Sequence, residues 1–382
     1  MSRLDWQSAR RILAVRLDAM GDVLMTSPAL RALKAGGRDR HLTLLTSPAG
    51  AAAGRLIPEV DEIQSYAAPW QKASPPRRGA SADRSMAAML RREGFDAAVI
   101  FTVYSQNPLP AALFCYLADI PLRLAHCREN PYQLLTDWVP EREPEAGVRH
   151  EVVRQLDLVA TVGCRDAVGK LSLHIPAASR AAIDELLSEQ WPDGGGPLVV
   201  VHPGASAPSR RYPPEDFAAA ARRLRVELGC RIAVTGTTDE MRLVDSVRQV
   251  IGGDAVGLAG RLTLAELAGL IDRASLLIAN NTGPVHLAAA VGTPVVDLYA
   301  LTNPQHAPWG VPHRLLFRDV PCRWCYKSVC PEGHHGCLRG VSPEEVVEAS
   351  RDLLDSSREG CGPEDGRIIP IAGKPIVTLG SP

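Results

Sequence analysis

Short, almost wholly apolar runs recur along this chain, and each gives way to a stretch with helical spacing. A run such as RILAVRL at 11–17 has no polar face to turn to water, so it reads as a strand buried on both sides. Similar runs fall at 42–46, 96–102 and 122–126, then again at 198–202, 231–235, 276–280 and 295–299. Between them lie helical patterns: from the turn at Asp18–Asp22 to Lys34, where Gly36 and Gly37 stop it, and over 150–162, 179–190, 214–228, 239–251 and 264–274. Strands alternating with helices predict βαβ units and parallel sheets. Thr263 with Glu266, and Ser342 with Glu345, are spaced as capping boxes.

Pro192-Asp-Gly-Gly-Gly-Pro197 breaks the alternation once, and it then restarts. The expected organisation is an α/β domain over 1–190, a linker at 191–197 and a second α/β domain over 198–342. A C-terminal helix over 343–357 and a poorly ordered Gly- and Pro-rich tail over 358–382 follow. Residues 70–87, rich in Pro, Ser, Ala and Arg, read as a long mobile loop. Two parallel-sheet domains facing one another would form a cleft at the carboxyl ends of their strands, so ligand-binding residues are expected just after strands.

Net charge narrows the partners. With 42 Lys and Arg against 43 Asp and Glu, the chain lacks the basic excess of a nucleic-acid binder. No run approaches the ~20 apolar residues of a membrane span, and the N-terminus has no secretory h-region, so a cytoplasmic location is expected.

Three post-strand segments carry the polar chemistry. Gly21-Asp22 opens the first helix; the carboxylate suits a general base, or simply a helix cap. His202–Pro213 places Ser206, Arg210 and Arg211 in a Gly/Ser/Pro loop before a helix, which suits a diphosphate. Asn280-Asn281-Thr282-Gly283-Pro284-Val285-His286 ends a strand and opens another helix, with Pro284 expected at its first position and Thr282 and Gly283 able to hold a phosphate. Glu240, after the strand at 231–235, offers a carboxylate to a ribose, and Leu262 an apolar rest for a base. Each of these could equally be an ordinary turn.

Nine cysteines at uneven spacing do not make a secreted disulfide framework. Four of them, Cys322, Cys325, Cys330 and Cys337, form C-x2-C-x4-C-x6-C with His334 and His335 inside. A structural zinc site, a local disulfide and reduced thiols are all compatible with that spacing. GxGxxG is absent, which disfavours a dinucleotide-dependent oxidoreductase.

Taken in order, several segments resemble the heptosyltransferases of glycosyltransferase family 9. They are RILAVRLDAMGDVLMTSPALRALK at 11–34, IPLRLAHCRENPYQLLTDWVP at 120–140, VVVHPGASAPSRRYPPEDF at 199–217, NNTGPVHLAAAVGTPVVDLYALTNPQHAPWG at 280–310 and CRWCYKSVCPEGHHGCLRGVSPEEV at 322–346. The resemblance implies a GT-B fold, with an N-terminal acceptor domain and a C-terminal donor domain. It implies ADP-heptose as donor, a lipopolysaccharide core as acceptor, inversion at the anomeric carbon, no catalytic metal, and room for peripheral contact with the inner membrane. It places the base on Asp22, the phosphate cation on Arg210, the diphosphate turn on Thr282, Gly283 and His286, and the ribose carboxylate on Glu240.

Two positions depart from the family pattern. Arg210 stands where lysine is usual, keeping the charge but changing donor geometry. Asn281 stands where aspartate is common, keeping the size but losing the charge. The second departure leaves open a different nucleotide-sugar donor. A catalytically silent binding protein of the same fold is the remaining alternative, against which Asp22 and Gly21 count.

Overall fold

The computed structural model describes residues 5–72, 74–166 and 168–358. The expected tail lies, but for Arg358, outside them. The chain divides into two compact units, 1–174 and 175–382.

The first unit contains β1 (Arg11–Arg16), α1 (Met20–Ala35), β2 (His41–Thr46), α2 (Pro48–Gly54), β3 (Glu62–Ser65), α3 (Ser81–Glu93), β4 (Ala97–Ile100), α4 (Leu109–Leu117), β5 (Leu122–Cys127), β6 (Asp137–Pro140) and α5 (Glu151–Ala160). Its six strands are all parallel, in the order β3-β2-β1-β4-β5-β6. The apolar runs read as two-faced strands are buried as expected: Ile12, Leu13 and Ala14 of β1, and all of β4, are 1% exposed or less. Helices therefore cover both faces of the sheet.

The second unit contains α6 (Ala177–Gln190), β7 (Leu198–His202), α7 (Pro214–Leu228), β8 (Arg231–Val234), α8 (Met241–Ile251), β9 (Val256–Gly257), α9 (Leu264–Arg273), β10 (Leu276–Asn280), α10 (Gly283–Val291), β11 (Val295–Leu298), β12 (His313–Leu316), α11 (Gly336–Arg339) and α12 (Pro343–Arg358). Its strand order is β12-β11-β10-β7-β8-β9, again all parallel. Counted from its own first strand, this is the same winding as the first unit. In both, the order reverses between the first and fourth strands: between β1 and β4, and between β7 and β10. Loops leaving the carboxyl ends of those strands part to opposite sides and leave a crevice, where α/β sheets bind ligands.

The structure alters four sequence expectations. The unit boundary falls at 174/175 rather than after residue 190, because α6 packs on α9 of the second unit, with Ile183 buried and Arg180 paired to Asp272. Residues 81–87 are not loop but the first half of α3. Met86, Met89 and Leu90, spaced 3 and 4 apart, press that helix on the core, and Asp83 in its first turn accepts from the Tyr66 hydroxyl at 2.6 Å. Pro284 occupies the second position of α10, since Gly283 is the first. The strands at 11–17, 231–235 and 295–299 end one residue early, and the one at 96–102 is shortened to 97–100. Both expected capping boxes are present, at Thr263/Glu266 and Ser342/Glu345. Among the described residues, no helix is long and apolar enough to cross a membrane.

Candidate active site

In the first unit the crevice is organised by a buried arginine. Arg16 ends β1 with no exposed side-chain surface. Its Nη1 donates to Glu151 Oε1 at 2.9 Å, its Nη2 to Asp22 Oδ1 at 3.0 Å, and its Nε lies 3.1 Å from Asp18 Oδ2, an ion pair not aligned as a hydrogen bond. Glu151 is held from the other side by Gln155, whose amide donates to Oε1 at 2.6 Å and to the Thr102 carbonyl at 3.0 Å. Gln106, after β4, donates to Asp18 Oδ1 at 2.5 Å. Three carboxylates thus share one guanidinium at the β1/β4 reversal. Burial pushes the Asp18 carboxyl up to about 6; Arg16 opposes this, and the neighbouring Asp22 adds to it.

Asp22 is the third residue of α1. Its Oδ2 accepts from the Ala19 backbone at 3.2 Å, so it does serve the helix start, as the capping reading expected. Alanine returns no side-chain bond, and Asp22's other oxygen is committed to Arg16. Unlike Arg16 and Glu151, its side chain keeps 22% of its surface exposed. Gly21, beside it, is buried. The same reversal opens on a pocket of about 300 Å³ lined by Leu17, Trp70, Lys72, Gln106 and Asn107 among others.

In the second unit the loop after β7 meets the turn after β10. Arg210 lies at the end of a 3-10 turn, 208–210, and its Nη1 donates to the Asn281 carbonyl at 3.3 Å. Arg211 points elsewhere, its Nε donating to Ala205 O at 2.8 Å, so it braces the loop. Asn280 fastens the two segments. Its Oδ1 accepts from the Tyr212 backbone at 2.9 Å and its Nδ2 donates to Pro203 O at 2.8 Å. Asn281 and His286 are buried, and Thr282 and Gly283 half-exposed. Thr282 does not cap α10 with its side chain; its hydroxyl donates to Asn280 O at 3.1 Å.

Glu240 joins the same surface. Its carboxylate accepts from the Thr237 backbone at 2.8 Å and lies against Gly204, where any Cβ would collide with it. A side chain at 204 would therefore push the Glu240 carboxylate out of this position. The Glu240 charge also reaches His202, whose pKa burial lowers to about 4. Leu262 is half-exposed in the turn before α9, which is anchored to the Glu240 turn by Gly260 N donating to Gly236 O at 2.9 Å. Ser206 is exposed in its loop. The structure thus gathers Arg210 with Asn281, and Glu240 with the β7 loop, while Ser206 makes no contact that ties it to either pair among the described residues.

The four clustered cysteines are free thiols, all half-buried. Cys337 is pushed up by burial and by the nearness of Cys330, Cys322 and Cys325, and Cys322 Sγ lies 3.7 Å from His334 Nε2. Among the described residues, no three His, Cys, Asp or Glu side chains stand where they could hold one ion.

Arg16, Glu151 and Gln106 belong to these sites, and Asp297 of β11 lies within electrostatic reach of Arg210; sequence reasoning did not single these four out, although its post-strand segments contained Asp18 and Asn280. A signal existed for two of them: Arg16 and Asp297 are charges inside apolar runs, and a charge at a buried strand position demands a partner. Glu151 and Gln106 are distant in sequence and carry no such mark.

Residues 84–335 match glycosyltransferase family 9 (heptosyltransferase). Lipooligosaccharide heptosyltransferase 2 of Haemophilus influenzae is 25% identical over 69% of this chain and 78% of its own length. Among solved structures, a glycosyl transferase family 9 protein from Veillonella parvula superposes with a TM-score of 0.74 at 21% identity, covering 92% of this chain and 98% of that one. The ADP-heptose lps heptosyltransferase II of E. coli superposes at 0.70 and 22% identity, covering 91% and 99%. These likenesses fix the architecture as the GT-B type, two Rossmann-like domains.

Proposed function

Because the chain belongs to glycosyltransferase family 9, the heptosyltransferases, we propose that it moves a heptose from ADP-heptose to a hydroxyl of a lipopolysaccharide-core acceptor. The observation that carries the donor half is the Arg210–Asn281 contact at the β7/β10 reversal, beside the first turn of α10. A fixed cation and a helix N-terminus stabilise a leaving diphosphate as its charge develops. Glu240 would take the ribose, Leu262 the base, Ser206 and the 282–286 turn the phosphates and sugar.

In the first unit Asp22 is the proposed base. Of the three carboxylates of the Arg16 cluster it keeps the most exposed surface, 22% against 10% for Asp18 and none for Glu151, so it is the one an acceptor hydroxyl reaches most readily. With the proton taken there, the hydroxyl oxygen attacks the anomeric carbon as the bond to the diphosphate breaks, which inverts the configuration. No metal enters this scheme. The pocket with Trp70, Lys72, Gln106 and Asn107 offers an aromatic face, a cation and two amides, which suits a charged glycan acceptor. Such an acceptor is carried on lipid, so working at the cytoplasmic face of the inner membrane, through peripheral contact, belongs to the same proposal.

A thermal-shift series tests the donor. A ligand that binds the native state alone raises apparent stability with the logarithm of its concentration. ADP and ADP-heptose should raise the melting temperature, and UDP and NAD should not. A response to UDP would move the donor to another nucleotide sugar, the reading that Asn281 favours. The anomeric configuration of the product by NMR tests inversion, and turnover in excess EDTA tests independence from metal.

A further inference from the structure

Asp297 sits in β11 between Val296 and Leu298 with no exposed surface, and neither carboxylate oxygen makes a hydrogen bond among the described residues. Burial pushes its pKa well above the usual carboxylate range, and the charge of Arg210 is what opposes this. Among the described residues, Nε of Arg210 and Nδ2 of Asn281 are also buried without a hydrogen-bond partner. In the strand register Asp297 pairs with Ala279, two residues before Asn281, whose carbonyl accepts from Arg210 Nη1. The unsatisfied carboxylate, the unsatisfied guanidinium nitrogen and the unsatisfied amide therefore belong to one corner of the donor domain.

A buried carboxylate without hydrogen bonds weakens a fold, and an apolar or amide side chain of similar size would serve β11 better. A charge there has a use if it acts on Arg210. Arginine spreads its charge over a planar group that must be held at one angle to grip two phosphate oxygens. Here the cation at 210 is arginine, residue 281 is an uncharged amide, and the acid lies one strand away in β11.

We propose that Asp297 is a positioning residue for Arg210: in the ionised form that the guanidinium favours, its carboxylate draws that group to the carboxyl ends of β10 and β11, beside the uncharged amide of Asn281. The inference deepens the reading of this loop as the diphosphate site and rests on it.

The test uses the full-length protein, with ADP and inorganic pyrophosphate as calorimetric probes. Asp297→Asn keeps the shape and removes the charge. It is expected to melt no lower than wild type, yet to bind both probes about tenfold more weakly, with donor KM rising and kcat held within about threefold. Adding Asn281→Asp to it should return affinity to within about threefold of wild type, because the charge is back beside Arg210. Asp297→Leu should behave like Asp297→Asn. Unchanged or tighter binding by folded Asp297→Asn overturns the proposal, since simple repulsion between Asp297 and the ligand predicts tightening. A large fall in melting temperature in both single variants overturns it too, by making the residue structural. Wild type that binds pyrophosphate but not ADP would refute the adenine donor, while the pyrophosphate arm still decides the role of Asp297.

Discussion

Arg16 Nη2 lies 3.0 Å from Asp22 Oδ1, and the same guanidinium, wholly buried, also reaches Asp18 and Glu151. Asp22 is thereby fixed from two sides, by Arg16 and by the start of α1. A base held this way is ordered before substrate arrives, which is what proton transfer at one position requires.

Removing that arginine should therefore do more than lower activity. Arg16→Met leaves three carboxylates clustered at the end of β1 without their cation. Breaking a buried ion pair by deleting one partner typically costs about 3–5 kcal/mol. Urea unfolding should show a loss of that size. A loss under about 1 kcal/mol would mean that the three carboxylates are solvated, not held.

Asp18 gives the fold a specific pH dependence. Its pKa is raised from an ordinary 3.8 to about 6, so the folded state holds that proton more tightly than the unfolded one. Stability is then greatest, as far as this group is concerned, below pH ~4, and it falls as pH rises to about 6. Asp18→Asn lacks the effect. The stability of Asp18→Asn relative to wild type should rise by about 2–3 kcal/mol between pH 4 and pH 7, at ~1.4 kcal/mol per pKa unit. A difference that stays flat with pH would place Asp18 in water.

The two parallel sheets were legible because doubly buried strands are written as runs such as LVVVH and LLIAN, and the restart after Pro197 separated two windings. The short strands β3, β6, β9 and β12 were not, since a partly exposed edge strand such as Glu62–Ser65 has no apolar run to show. At the sites, Asp22, Arg210 and the 281–286 turn stood out because they directly follow strands. Glu151 and Gln106 did not: what brings them to Arg16 and Asp18 is the order of strands in the sheet, which no local pattern records.

Arg210 and Arg211 are neighbours with different tasks. Arg210→Ala should weaken ADP binding by about 10- to 100-fold, the scale of hydrogen bonds to a charged group. Arg211→Ala removes the brace on Ala205 O and should change affinity only a few-fold. Calorimetry on both variants checks this; a larger effect at Arg211 would move the phosphate contact to that residue.

Asn281 should read the donor sugar. Its carbonyl, which holds Arg210, survives any side-chain change, and its own Nδ2 is buried with no partner among the described residues. Asn281→Asp exchanges that donor for a charged acceptor. The ratio of kcat/KM for ADP-heptose to that for a second ADP-sugar should move by about 1–2 kcal/mol, with ADP affinity little changed. A ratio that does not move would show that residue 281 leaves sugar choice to other groups.

In the proposed reaction Asp22 takes the proton of the acceptor hydroxyl. Single-turnover transfer by Asp22→Ala, measured beside its ADP affinity and its melting temperature, addresses it directly. Loss of a general base typically slows a reaction by ~10²–10⁴-fold. The expected result is a rate lowered by that factor in a folded protein whose ADP affinity stays within about twofold of wild type. Wild-type transfer by the folded variant would contradict it, and would leave Asp22 as the start of α1 and nothing more.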